Sequence, residues 1–136
     1  NNYVFIGACA KGELEVCKWL HQTFKLTREE VTSQNNYVFK YASDKGYLEI
    51  LKWLHETFHI TKEEATSGDH WAFRFAVMNG HLDVCKWLYT TYDLTKEDAI
   101  LGDDYAFHVA YGAGHLELCM WLCEILEIHN FPFRRN

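Results

Sequence analysis

The sequence predicts an all-α repeat solenoid of four helix-turn-helix units, with a short capped helical turn joining each unit to the next. Three observations predict it. The stretch Gly46-Tyr47-Leu48-Glu49-Ile50-Leu51-Lys52-Trp53-Leu54 recurs, in altered form, beginning at Gly12, Gly80 and Gly114. Those glycines are 34 residues apart, and four units of 34 make all 136 residues. Six offsets keep one residue type in every unit, those of Phe39, Ala42, Gly46, Leu48, Trp53 and Leu54 in the second. A fixed period in this range belongs to supersecondary units that stack on their neighbours. The array is one domain of units 1–34, 35–68, 69–102 and 103–136.

Each unit opens with a short polar residue, Asn1, Asn35, Asp69 or Asp103. Such side chains can accept from the unpaired N–H groups of a first helical turn, so these are the expected N-caps. An aromatic follows (Tyr3, Tyr37, Trp71, Tyr105), then Phe5, Phe39, Phe73 and Phe107, then Ala8, Ala42, Ala76 and Ala110. Phe and Ala three apart share a helix face with the Gly four further on. The expectation is a helix of about nine residues that packs closely on a neighbour and ends at the Gly.

The recurrent stretch is the second helix, running from about Leu48 to Thr57 in the second unit. Glu49, Lys52 and Glu56 fall in a narrow solvent arc, while Leu48, Ile50, Leu51, Trp53, Leu54 and Phe58 cover the rest of the wheel. A helix apolar over so much of its circumference must touch neighbours on more than one side. A third segment begins Thr27-Arg28-Glu29-Glu30, Thr61-Lys62-Glu63-Glu64 and Thr95-Lys96-Glu97-Asp98. The first two are capping boxes that would each start a short helix; Asp98 is a weaker choice than Glu for the third. The last unit departs, with His129 for the Thr, Pro132 for the Glu and Met120 where the other units carry Lys. The tail Phe131-Pro132-Phe133-Arg134-Arg135-Asn136 is aromatic and basic. With no Met at residue 1 and a unit boundary there, the array is expected to be an excerpt of a longer chain.

Composition narrows the function. Net charge is −6, against a nucleic-acid partner, because phosphate binding needs a basic face. No apolar run approaches the ~18–20 residues of a membrane span. Cys17, Cys85 and Cys119 share one repeat slot that holds Leu51 in the second unit, which makes them small buried hydrophobes. Together with Cys9 and Cys123 they give an odd count without a signal peptide, expected of an intracellular protein.

Gly80-His81-Leu82-Asp83-Val84-Cys85-Lys86-Trp87-Leu88 resembles the second helix of an ankyrin repeat. Ala76 matches that family's first-helix alanine, and Phe73 the Leu of its Thr-Pro-Leu-His. The resemblance spans all four units and looks most like the divergent variety of giant-virus and protist proteins. It implies an ankyrin-like solenoid and a protein-interaction module, in host-cell cytoplasm if viral. The family's Gly-Ala after the second helix is replaced by Phe24-Lys25, Phe58-His59, Tyr92-Asp93 and Leu126-Glu127. The capped Thr segment is therefore expected to stand in place of the family's β-hairpin.

His55-Glu56-Thr57-Phe58-His59 matches the HExxH pattern, in which two His hold zinc and Glu activates water. The same slots elsewhere read His21-Gln22-Thr23-Phe24-Lys25 and Tyr89-Thr90-Thr91-Tyr92-Asp93, so repeat variation accounts for it. His115, Cys119 and Cys123, at i, i+4 and i+8 on one helix, have metal-ligand spacing, but the cysteines are read as buried thiols. No catalytic, metal or cofactor site is expected, and a zinc hydrolase is a distant alternative. The expected function is binding of a protein or peptide, without nucleic acid or membrane; the alternative is a structural spacer within a larger protein. Offsets 2, 6 and 10 of the first helix vary between units and are expected opposite Phe and Ala on the wheel, on the face that is concave in the family. They give Asn36, Lys40, Asp44, His70, Arg74, Met78, Asp104 and His108 as candidate contacts. The array is expected as a monomer or in weak end-to-end association through its terminal units.

Overall fold

The computed structural model describes residues 2–100 and 105–127. The expected caps at Asn1 and Asp103, the candidate contact Asp104, the departures at His129 and Pro132 and the tail 131–136 lie outside the described residues.

The described residues are helical without strands, in the order α1 (Asn2–Ala10), α2 (Leu14–Phe24), α3 (Arg28–Val31), α4 (Ser33–Lys45), α5 (Leu48–Phe58), α6 (Lys62–Ala65), α7 (Ser67–Met78), α8 (Leu82–Thr91), α9 (Lys96–Ile100), α10 (Tyr105–Gly112) and α11 (Leu116–Leu126). Each unit is an antiparallel pair, α1 on α2, α4 on α5, α7 on α8 and α10 on α11. The first helices form a continuous layer, α1 against α4, α4 against α7 and α7 against α10. Phe5, Phe39 and Phe73, with Ala42, Ala76 and Ala110, are almost wholly buried, as are Leu54, Leu88 and Leu122. The Phe, Ala and last Leu fixed across units therefore fill the core.

The turn between paired helices needs glycine for its backbone and, at Gly46 and Gly80, for space. Gly12, Gly46, Gly80 and Gly114 all have φ between 75° and 87°, left-handed backbone that disfavours any Cβ. A Cβ on Gly46 would also lie 2.5 Å from the His81 ring of the next unit, and one on Gly80 2.4 Å from His115. After the second helix the same left-handed turn is made without glycine, at Lys25, His59, Asp93 and Glu127.

The capped segment forms as a short helix where the family has a hairpin. Thr27 accepts from the Glu30 backbone N–H and Glu30 Oε1 accepts from the Thr27 N–H; Thr61 and Glu64 repeat this arrangement. Asp98 serves equally well, accepting from the Thr95 N–H at 2.8 Å while the Asp98 N–H donates to the Thr95 hydroxyl at 3.1 Å. Leu26 and Val31 flank the first box and are both buried, a hydrophobic staple that ties the turn to the core.

The N-cap assignments at Asn35 and Asp69 are corrected by the structure. Both lie inside left-handed runs, Gln34-Asn35-Asn36 and Gly68-Asp69-His70, with φ between 55° and 67°. An N-cap needs extended backbone to aim its oxygen at the following N–H groups, and these residues do not have it. Polar, αL-tolerant residues are selected here for the reversal itself. The hydroxyls around it turn the other way. Thr32 and Thr66 donate to the carbonyls of Arg28 and Lys62, and Ser33 and Ser67 to those of Glu30 and Glu64.

Two periodic contacts lock unit to unit. The tryptophans reach back, Trp53 onto Phe5 (6.1 Å) and His21 (6.1 Å), Trp87 onto Phe39 (6.5 Å) and His55 (5.8 Å), and Trp121 onto Tyr89 (5.7 Å). The basic residue that opens each short helix reaches forward. Arg28 pairs with Glu64 and donates to the Phe58 carbonyl at 3.0 Å. Lys62 lies 3.9 Å from Asp98 and donates to the Asp93 carbonyl, and Lys96 pairs with Glu127.

Candidate partner-binding face

The candidate contacts from offsets 2, 6 and 10 do not form one open surface. Asn36 is 4% exposed, and its Nδ2 donates to the Glu64 carbonyl at 3.1 Å. Lys40 is 9% exposed, with its Nζ lying over Gly68. Asp44 is held by the next unit: Asn79 Nδ2 donates to its Oδ1 at 2.6 Å, and His81 Nε2 sits 2.9 Å from its carbonyl. His70 Nε2 is 3.5 Å from Asp98 Oδ1, and its Nδ1 is buried. Arg74 donates from Nε to the Asp69 carbonyl, Met78 packs half-buried against the core, and His108 is exposed.

The cause lies in how the first helices meet. A helix whose neighbours are helices on both sides buries the flanks of its stripe as well as its centre, so Asn36 and Lys40 become inter-unit contacts. Solvent is met one residue further round, about 100° away. That face carries the aromatics. Tyr3 is 77% exposed, Tyr37 40% and Tyr105 62%. On α7, Trp71 and Phe75 stack with ring centroids 3.9 Å apart and planes 17° from parallel. On α4, Tyr37 packs on Tyr41 at 5.7 Å, and Lys45 Nζ sits 5.4 Å over the Tyr41 ring. Asn36 and Lys40 thus act as packing groups, and the aromatics at offset 3 recur in every unit, whereas Tyr41 and Phe75 stand where the first and last units have Gly7 and Val109. The signal was in the sequence: an aromatic at offset 3 in every unit, two positions from the core Phe, cannot share its face.

The other constellations are built into packing. His55 Nδ1 is 2.9 Å from the Tyr92 hydroxyl, and the His55 ring meets Trp87 and Tyr92 edge-on. Burial, then the Glu64 charge, raises the Tyr92 phenol well above its usual range, so it remains a hydroxyl. His59 caps α5 with φ 56°, outside the helix that HExxH requires. His115 precedes α11, and Cys119 and Cys123 are buried; burial, then the nearby Cys123, pushes the Cys119 thiol up to about 11. Among the described residues no three His, Cys, Asp or Glu side chains gather in a metal-binding arrangement, and no helix is long and apolar enough to cross a membrane.

Residues 38–89 match the family model described as ankyrin repeats (many copies), a stretch covering most of the second unit and much of the third. No curated protein and no solved structure matches the chain.

Proposed function

We propose that this chain, whose residues 38–89 match ankyrin repeats, is a non-catalytic module that binds a protein or peptide across its first helices. The family's repeats are generally protein-interaction modules. The reading is carried by two aromatic pairs on neighbouring first helices, the exposed Tyr37 with the half-buried Tyr41, and the half-buried Trp71 with the half-buried Phe75. Rigid aromatic rings give large contact area at small entropic cost and are enriched where proteins meet. Arg74, Met78 and His108 border these pairs, and Lys45 supplies a cation at their edge. No nucleic acid or membrane is needed as partner.

The test compares wild-type protein with Tyr37→Ala/Trp71→Ala in affinity capture and then measures affinity for the captured partner. A drop of at least tenfold, with helical circular dichroism unchanged, supports the reading. Unchanged affinity would move the site elsewhere. Array binding at the ends is a second reading. Val4 (56% exposed), Val16 (41%), Trp19 (56%) and Phe24 (55%) of the first unit stand open, as do Leu116 (49%) and Met120 (53%) of the last. These surfaces suit weak stacking of one array on another. Sedimentation across a hundredfold concentration range tests it; a single monomeric species throughout counts against it.

A further inference from the structure

Cys9, on α1, is the described cysteine that meets another thiol across two helices. Its Sγ lies 3.1 Å from Sγ of Cys17 on α2, about 1 Å more than a disulfide bond. Both side chains are buried, at 2% and 0% exposure. The pair occurs in the first unit alone. The corresponding positions hold Ser43 and Leu51, Val77 and Cys85, and Tyr111 and Cys119. The equivalence of Cys17 to Leu51 accounts for one sulfur as core packing but leaves the second unexplained.

We propose that Cys9 and Cys17 are an oxidation site, closing to an intramolecular disulfide when a small hydroperoxide, such as hydrogen peroxide, reaches the first unit. Either sulfur can donate in this contact; with the proton on Cys9, the bond favours the thiolate at Cys17. Cys17 is therefore the attacking sulfur. Its thiolate takes one peroxide oxygen, the O–O bond breaks, and Cys17 becomes a sulfenic acid while the leaving hydroxide gains a proton as water. Cys9 then attacks the Cys17 sulfur, the S–O bond breaks, and a second water leaves. Two thiols are oxidised by two electrons and one peroxide is reduced to two waters. The bond would join α1 to α2 across the Gly12 turn. Both sulfurs are closed to solvent in the folded unit, so the peroxide reaches them by local opening of the α1–α2 pair.

The test treats the full chain with hydrogen peroxide, unfolds it, alkylates the remaining thiols and counts adducts by mass. The chain holds five cysteines. The expected result is loss of two adducts, a Cys9–Cys17 cross-linked peptide in a non-reducing digest, and recovery of both adducts after dithiothreitol. Cys85 and Cys119, in the same repeat slot as Cys17, serve as internal controls and should stay alkylated. Cys9→Ser imitates the residue that the second unit already carries at Ser43, and it removes the resolving thiol. In that variant dimedone should trap a sulfenic acid at Cys17. A full set of adducts after peroxide, or a cross-link that joins other cysteines or two chains, overturns the proposal. So does a Cys9→Ser protein of unchanged circular dichroism that yields no trapped Cys17.

Discussion

Gly46 is asked for two things by the array, and Gly114 for one. Both have left-handed φ, 80° and 87°, which any Cβ makes worse by about 1–2 kcal/mol. At Gly46 a Cβ would also strike the His81 ring, which the Asp44 carbonyl holds in place. Around Gly114 nothing lies within 4 Å of the added atom. Gly46→Ala should therefore destabilise by at least ~1 kcal/mol more than Gly114→Ala, measured as the difference between their urea unfolding free energies. Equal losses would mean that the backbone angle alone sets the requirement. The identity of these glycines was legible from the repeat. The stacked ring was not, because Tyr47, His81 and His115 vary in type and only the fold brings each onto the preceding unit's turn.

At the scale of elements, the capping boxes were legible because a Thr and an acid three residues apart act within one turn. The left-handed reversals were not, because Asn and Asp serve an N-cap and an αL turn equally well. Nor was the basic ladder, whose partners lie one unit away in sequence. It gives the array an acid sensitivity. Burial pushes the Glu64 carboxyl up, but the Thr61 N–H and then Arg28 outweigh it and hold the group below its usual range. The Thr95 N–H, with its hydroxyl, His70 and Lys62, does the same for Asp98 against a smaller burial effect. With folded-state pKa values depressed, the unfolded chain binds protons first as pH falls. Their contribution is complete above the unfolded carboxylate pKa, about 4, and is lost as pH drops through the depressed values. Urea midpoints should fall between pH 6 and pH 3, and Glu64→Gln/Asp98→Asn should flatten that fall. A double variant with the same pH profile as wild type would assign the sensitivity to other groups.

At the scale of the molecule, four similar units behave differently according to their neighbours. Trp53 lies against Phe5, His21 and Phe58, whereas the equivalent Trp19 is 56% exposed and touches Phe24 of its own unit. Trp53→Ala should cost about 3 kcal/mol of unfolding free energy, and Trp19→Ala less than ~1 kcal/mol as a largely surface change. Similar costs would contradict stacking through this residue. The period, the all-helical class and the core Phe, Ala and Leu were all readable from the chain. The burial of Asn36 and Lys40 was not readable, because a wheel drawn for one helix omits the helices packed on its flanks.

The central claim is that the first helices, through their aromatic row, are the binding face. Hydrogen exchange of the array with and without its captured partner tests this most directly. The account predicts added protection concentrated in residues 37–45 and 71–78, with the second helices 48–58 and 82–91 unchanged. Protection confined to the second helices would contradict it.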